Sequence, residues 1–166
     1  MATIMNIKNR VNLVLETEAN AIKQVNVDDN FDIAVTFLYE CQGTIISTGI
    51  GKAGIIAEKF AATLRSGATA ASFLHPAEAA HGDLGVIGEQ DVLVAFSTSG
   101  KSREVIETLM SAKKLGIKKV IGITSHPDSE LRDFADVILN MGIIEEPCPL
   151  GLTPSASSAV MMAIGD

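Results

Sequence analysis

Apolar side chains recur at two different spacings along this chain, and the change of spacing divides it. Between residues 7 and 25, Ile7, Val11, Val14, Leu15, Ile22 and Val25 fall at helical intervals, with Lys8, Glu16, Glu18 and Lys23 elsewhere on the wheel. Val27-Asp28-Asp29 then has the composition of a helix entry, because aspartate oxygens accept from free N–H groups and their charge suits the positive end of the helix dipole. Phe31, Ala34, Val35, Leu38 and Cys41 form the apolar stripe predicted for that second helix. Neither helix carries obvious chemistry. Residues 1–42 are therefore expected to pack on the rest of the domain or across an interface between copies.

From Gly43 onward, short apolar runs alternate with helical stretches. Thr44–Ser47, Ala71–Leu74, Asp91–Phe96, Lys119–Ile123 and Asp136–Leu139 read as five strands. Helices fit between them. One runs through Phe60 and Leu64, and the clearest spans Glu104 to Leu115 and stops at Gly116, where a C-terminal capping glycine belongs. Continuously apolar strands separated by helices imply an α/β domain over residues 43–166, with a five-stranded parallel sheet covered on both faces. In such sheets ligands bind at the carboxyl ends of the strands, near a reversal of strand order. Functional residues are accordingly expected just after each strand.

Length and charge narrow the classes. The 166 residues suit one domain. Hydrophobic residues at 47% with 20% charged exclude a disordered chain. A formal net charge of −7 argues against non-specific nucleic-acid binding, which needs positive charge. Two cysteines, Cys41 and Cys148, are too few for a disulfide framework and fit a reducing cytosol. No apolar run reaches the roughly 18–20 residues of a membrane span, and Asn6 to Arg10 is too polar for a signal-peptide core. The expectation is a cytoplasmic protein with neither membrane nor nucleic-acid partners.

Four of the post-strand segments carry candidate chemistry. Thr48-Gly49-Ile50-Gly51-Lys52-Ala53-Gly54 satisfies G-x-G-x-x-G in a strand-to-helix context. A dinucleotide site would want an acidic residue after the next strand, where Phe73-Leu74-His75-Pro76 offers none before Glu78. A P-loop fails as well, with Ile46 at the first glycine and Ala53 at the Ser/Thr position. What survives is a tight turn with a cationic side chain at a helix start. Ser97-Thr98-Ser99-Gly100-Lys101-Ser102 places four hydroxyls and a glycine at another helix start, an arrangement that suits phosphate; capping alone needs one hydroxyl.

His75 to Asp83 holds two histidines and Glu78 and Asp83, pointing to proton chemistry or to structural hydrogen bonding. The i, i+6 histidine spacing lacks the one-face geometry of a metal pair, so no metal is expected. Glu145-Glu146-Pro147-Cys148-Pro149-Leu150-Gly151 sets two carboxylates before a proline-bracketed turn. Cys148, without an evident base, reads as a packed thiol.

Together these segments resemble sugar isomerase (SIS) domains. The resemblance rests on Gly49-x-Gly51-Lys52, His75-Pro76-x-Glu78-Ala79-x-His81-Gly82-Asp83-Leu84-Gly85, Ser97-x-Ser99-Gly100-x-Ser102-x-Glu104 and Glu146-x-Cys148-Pro149-Leu150-Gly151-x-x-Pro154. More narrowly, they resemble the D-arabinose 5-phosphate isomerases. That resemblance implies a flavodoxin-like three-layer α/β/α domain that interconverts ribulose 5-phosphate and arabinose 5-phosphate through an enediol, without a cofactor. The product is a precursor of Kdo, the acidic sugar of Gram-negative outer membranes. The resemblance also implies oligomers, usually tetramers, with active sites shared between subunits.

Carried over by position, the family's catalytic residues fall on Lys52, His81, Glu104 and Glu146. The phosphate-binding hydroxyls fall on Ser97, Ser99 and Ser102, and Gly49, Gly51, His75 and Thr98 join them as expected substrate-binding positions. Within that expectation Lys52 supplies countercharge to the developing oxyanion and His81 shuttles the proton. Glu104 and Glu146 orient hydroxyls, tune the histidine or act as bases.

The chain departs from the family at Ala53 and Ala156, each where a hydroxyl is usual. It also stops within a helical stretch after Pro154, whereas family members continue to another histidine-containing segment and often to paired CBS modules. A truncated C-terminal end without CBS domains is the expectation. Two rival readings are a non-catalytic SIS module that senses a sugar phosphate or a Kdo-type end product, and a related enzyme such as hexulose phosphate isomerase.

Overall fold

A computed structural model describes residues 6–166, so the first five residues of the expected N-terminal segment lie outside the described residues. Five strands, β1 (Ile45–Gly49), β2 (Ala71–Leu74), β3 (Val92–Phe96), β4 (Lys119–Thr124) and β5 (Val137–Asn140), form one sheet in the order β2-β1-β3-β4-β5. Every pairing is parallel, with Ile45 opposite Ala71 on one side and Val92 on the other. The chain leaves β1 for one edge and returns to its opposite side as β3. The carboxyl ends of β1 and β3 therefore flank the reversal of strand order.

Six helices accompany the sheet: α1 (Ile7–Lys23), α2 (Asp29–Tyr39), α3 (Lys52–Ser66), α4 (Pro76–Ala79), α5 (Arg103–Lys114) and α6 (Ala156–Gly165), among the described residues. On one face Ile45, Val94, Phe96 and Ile121 pack with Phe60 of α3 and Val160 and Met161 of α6. On the other, Ile46, Leu93, Val120 and Ile138 pack with Val105 and Leu109 of α5. This gives the expected three layers. Side chains such as Leu93 and Leu109, without measurable exposure, each contribute roughly 1.5–3 kcal/mol by leaving water.

β1 runs two residues past the expected Ser47 because its hydroxyls are satisfied inside. Ser47 Oγ donates to the Ala57 carbonyl of α3 at 2.6 Å, and Thr48 Oγ1 donates to the Leu74 carbonyl at 2.8 Å. Two expected crossover helices are absent or short. β2 and β3 are joined by four-residue α4 and a 3₁₀ turn at Asp83–Val86, and β4 and β5 by a 3₁₀ turn at Glu130–Asp133. Pro76 starts α4 and the turn at His81-Gly82 ends it, leaving no room for a longer element.

The first two helices join the protomer unequally. Asp28 Oδ1 accepts from the Asn30 N–H at 3.0 Å, capping α2, whose Phe31, Ala34 and Leu38 face the core. Val35, expected in the same stripe, stays exposed. α1 lies on α6 and is tied to the loop before it by Arg10 donating to the Pro147 carbonyl and Ser155 Oγ to Glu18. Its apolar stripe points outward: Ile7 is 78% exposed and Leu15 59%, with Ala21 the residue of α1 buried. A helix resting on a second helix, rather than on a sheet, has only a narrow strip of its surface covered.

Candidate functional site

A cleft of about 350 Å³ opens at the carboxyl ends of β1 and β3, at the topological switch point. The β1–α3 turn contributes Ile50, Lys52 and Ala53, and the β3–α5 loop contributes Ser97, Thr98, Ser99 and Ser102. His126 enters from beyond β4, and Pro154, Ser158 and Met161 from around the start of α6. The glycine spacing after β1 serves close packing of helix on strand. A Cβ at Gly54 would lie 2.7 Å from the Gly49 carbonyl oxygen, so α3 can start this close to the sheet only without a side chain there.

The β3–α5 loop is held from within. Ser97 Oγ accepts from the Gly100 N–H at 3.1 Å and lies 3.0 Å from Ser102 Oγ. Ser99 Oγ accepts from the Lys101 N–H at 3.2 Å. Gly100 takes φ +63°, and a Cβ there would sit 1.8 Å from Ser129 Oγ, so the turn excludes every larger residue. Ser102 occupies the N-cap position of α5, yet its side chain makes no capping hydrogen bond. Its hydroxyl pairs with Ser97 and lines the cleft instead. The loop thus presents hydroxyls and a helix N-terminus to one space, an arrangement that stabilises an anion.

Charge agrees. The molecule carries −7 overall, but among the described residues lining the cleft there is no carboxylate, while Lys52 and His126 both line it. A local reversal of sign in an acidic protein favours an anionic guest at this position.

The other expected residues fall elsewhere in the protomer. Gly49 ends β1 and Gly51, at φ +63°, precedes α3, so both shape the turn that carries Lys52. His75 is exposed and caps α4, its Nδ1 accepting from the Ala77 N–H at 3.3 Å. His81 is exposed in the turn after α4. Glu104, in the first turn of α5, lines a separate groove with Pro76, Ala77, Ala80 and Leu84.

Glu146 is engaged with α6. Its Oε2 accepts from the N–H groups of Ser155 and Ala156 at 2.8 and 2.9 Å, and Oε1 from that of Ser157 at 3.1 Å. Burial pushes this carboxyl up. The bonds from Ser157, Ser155 and Ala156 outweigh it and hold the group below its ordinary value of 4.5. The carboxylate reaches the cleft through the helix it caps, which carries Ser158 and Met161.

Cys148 departs from the packed thiol expected of it. It is half-buried in the turn before α6, outside both clusters of the core. The N–H groups of Leu150, Thr153 and Leu152 and the Thr153 hydroxyl bring its thiol down to about 6, against a small opposing effect of burial.

The cleft residue that sequence reasoning missed is His126. Ser125-His126-Pro127 lies directly after β4, where the parallel-sheet rule places functional groups, but a single imidazole without a neighbouring cluster gave no motif.

Comparison with known proteins agrees with this architecture. Residues 38–165 match the family model described as SIS domain. The Escherichia coli K12 protein named arabinose 5-phosphate isomerase KdsD is 40% identical over 154 residues, 93% of this chain and 47% of that protein. The chain spans about half the length of the curated relatives it matches. A solved structure from Bacteroides fragilis superposes with a TM-score of 0.93 at 40% identity, covering 96% of this chain and 86% of that one. An Escherichia coli CFT073 protein in complex with arabinose 5-phosphate gives 0.88 at 36% identity, covering 98% and 88%. With its switch-point cleft, its parallel five-stranded sheet and this match over most of its length, the chain belongs to the SIS domain family.

Proposed function

We propose that this chain binds a sugar phosphate in the switch-point cleft and interconverts D-ribulose 5-phosphate and D-arabinose 5-phosphate. The observation that carries the reading is the hydroxyl-rich β3–α5 loop facing Lys52 across a cleft lined by no carboxylate among the described residues. The kinship with arabinose 5-phosphate isomerases supplies the sugar. A phosphate gripped by Ser97, Ser99, Ser102 and the α5 N-terminus leaves the carbonyl end of a five-carbon sugar to reach Lys52.

In the reaction a proton leaves C1 of the ketose, an enediol forms, and a proton is delivered to C2; the reverse direction mirrors this. Lys52 stabilises the charge that develops on oxygen. His81 and Glu104 are the proposed proton-handling groups. Glu146 acts on the site by fixing the start of α6 and with it Ser158. The proposed product would be a precursor of Kdo, a reading supported by the kinship with the KdsD proteins.

Within one protomer neither His81 nor Glu104 lines the cleft, and the apolar residues exposed on α1 and α2 include Val35 at 61% and Ile7 at 78%. These two observations support a homo-oligomer, a tetramer on the family's pattern, in which a second copy completes each site. Mixing a Lys52→Met protein with a His81→Gln protein should then restore part of the lost turnover through hybrid sites.

The deciding experiment is NMR of the 166-residue chain with ribulose 5-phosphate in heavy water. Arabinose 5-phosphate carrying deuterium at C2 is the expected product. Phosphosugar binding without product or exchange would overturn the isomerase reading in favour of a sensor. Among the described residues no helix is long and apolar enough to cross a membrane.

A further inference from the structure

The carboxyl end of β4 brings to the cleft an imidazole that none of the assignments above employs. His126 Nδ1 lies 3.0 Å from the Thr98 carbonyl oxygen. That oxygen also receives the Ser125 N–H at 3.0 Å and the Thr124 hydroxyl at 3.1 Å. A carbonyl can only accept, so Nδ1 must carry the proton and the tautomer is fixed. The other nitrogen, Nε2, is then bare in the neutral ring and becomes a donor in the cation. Among the described residues no hydrogen bond holds Nε2, while the exposed ring lines the cleft that holds Lys52, Ser97 and Ser99.

We infer that His126 is a ligand-binding residue of this cleft, its Nε2 engaging the phosphate group of the bound sugar and donating to it in the cationic state. The inference rests on the phosphosugar reading above and adds a pH-dependent component to its affinity. Two bonded nitrogens also make the ring a bridge. One grips the main chain of the phosphate loop at Thr98, and the other grips the ligand, so binding and loop geometry share one side chain.

Lys52 stands in the same cleft, and Lys101 and Asp128 border the shallow hollow on which His126 also opens. With Nδ1–H committed to the Thr98 carbonyl, Nε2 can donate to a phosphate oxygen only when it too carries a proton, so the contribution of His126 to affinity grows as pH falls. A phosphate monoester loses its own second proton near pH 6, so a raw affinity profile mixes two titrations. The ratio of affinities between two variants for one ligand cancels the ligand's share.

Two substitutions separate the roles. His126→Asn keeps an amide donor close to the Thr98 carbonyl and removes Nε2; His126→Gln places an uncharged amide near Nε2. Calorimetric titration with arabinose 5-phosphate, and separately with inorganic phosphate, at about pH 6 and about pH 8.5 reads the effect. H126N should weaken binding about tenfold at the lower pH and less than about threefold at the higher one. H126Q should lose the same pH-dependent part, so the test survives if either variant folds poorly. A ratio that is the same at both pH values, whatever its size, would assign His126 a structural role and overturn the inference. Wild-type protein that binds neither probe would overturn the phosphosugar reading itself, and this inference with it.

Discussion

Replacing Glu146 by Gln separates a carboxylate that builds the fold from one that performs chemistry. In the wild type Oε2 accepts two N–H groups and Oε1 a third, all from the first residues of α6 or its N-cap. An amide has one acceptor oxygen. Whichever way it turns, its NH₂ group faces at least one N–H and leaves it unpaired. The loss is about one charge-assisted hydrogen bond, roughly 1.5–3 kcal/mol, plus roughly 0.3–1 kcal/mol of charge–dipole attraction. Relief of the carboxylate's partial burial offsets some of this, leaving a destabilisation of about 2–3 kcal/mol at pH 7. Urea unfolding should show a lower midpoint at unchanged slope, and thermal unfolding a fall of roughly 4–10 °C for a domain of this size.

The pH dependence gives a second and independent check. The folded carboxyl is held below its unfolded value of 4.5, so its stabilisation is fully present above that value. It is lost as pH falls through the folded value. The stability gap between wild type and variant should therefore be flat from about pH 7 to about pH 5.5 and narrow steadily in more acid solution. A gap below about 0.5 kcal/mol at pH 7, or one that widens toward acid, would refute the capping argument.

Gly100→Ala forces a side chain into φ +63° and within 1.8 Å of Ser129 Oγ, which should cost at least about 2 kcal/mol in urea unfolding; Ser129→Gly should recover part of it in a double-mutant cycle. Asp91, 8% exposed, accepts the Thr44 and Gly88 N–H groups at 2.7 Å each, so Asp91→Ala should cost about 2–4 kcal/mol by calorimetry, and a loss under about 1 kcal/mol would contradict it. In a Cys41→Ser background the rate of Cys148 alkylation by iodoacetamide should rise with a midpoint near 6, and a midpoint above about 8 would exclude the acidified thiol. Lys52→Met should raise the dissociation constant for arabinose 5-phosphate about tenfold or more while leaving the unfolding midpoint within about 2 °C, since Lys52 is exposed and makes no ion pair among the described residues.

Legibility in the sequence followed how locally each feature is determined. All five strands could be read because a parallel sheet is largely buried on both faces, which leaves short runs dominated by apolar residues. That the β3–α5 loop would line the cleft could be read because four hydroxyls in six residues exceed what a helix cap uses. The apolar stripe of α1 identified a helix but not its partner: α1 packs on α6 with Ala21 buried and Ile7 and Leu15 left in solvent, a choice made by tertiary packing. Glu146 was legible as one of two adjacent carboxylates, singled out by the family resemblance. Its capping of residues 155–157 was not, because that contact depends on how the intervening proline-bracketed turn closes. His126 was silent for the opposite reason. Its meaning comes from the Thr98 carbonyl, 28 residues away in the chain, and only the pairing of β3 with β4 brings the two together.

That pairing also explains why the cleft is ready before any ligand arrives. Adjacent parallel strands deliver their following loops side by side. The Thr98 carbonyl is held by Thr124, Ser125 and His126, and Gly100 is held by the Leu131 N–H at 3.0 Å and packed on Ser129. The hydroxyl-rich loop after β3, the proposed phosphate site, is thus fastened by the segment after β4, so little ordering entropy remains to be lost on binding. The proposed proton-handling residues have no such support: His81 is exposed in a turn following a four-residue helix, and Glu104 faces a separate groove. A protomer with a rigid binding half and unanchored acid–base groups should bind phosphosugar at dilutions where turnover has already failed. Measured across a concentration series, affinity per chain should stay constant while specific activity falls with dissociation. Specific activity that holds constant through dissociation to monomers would refute a shared site.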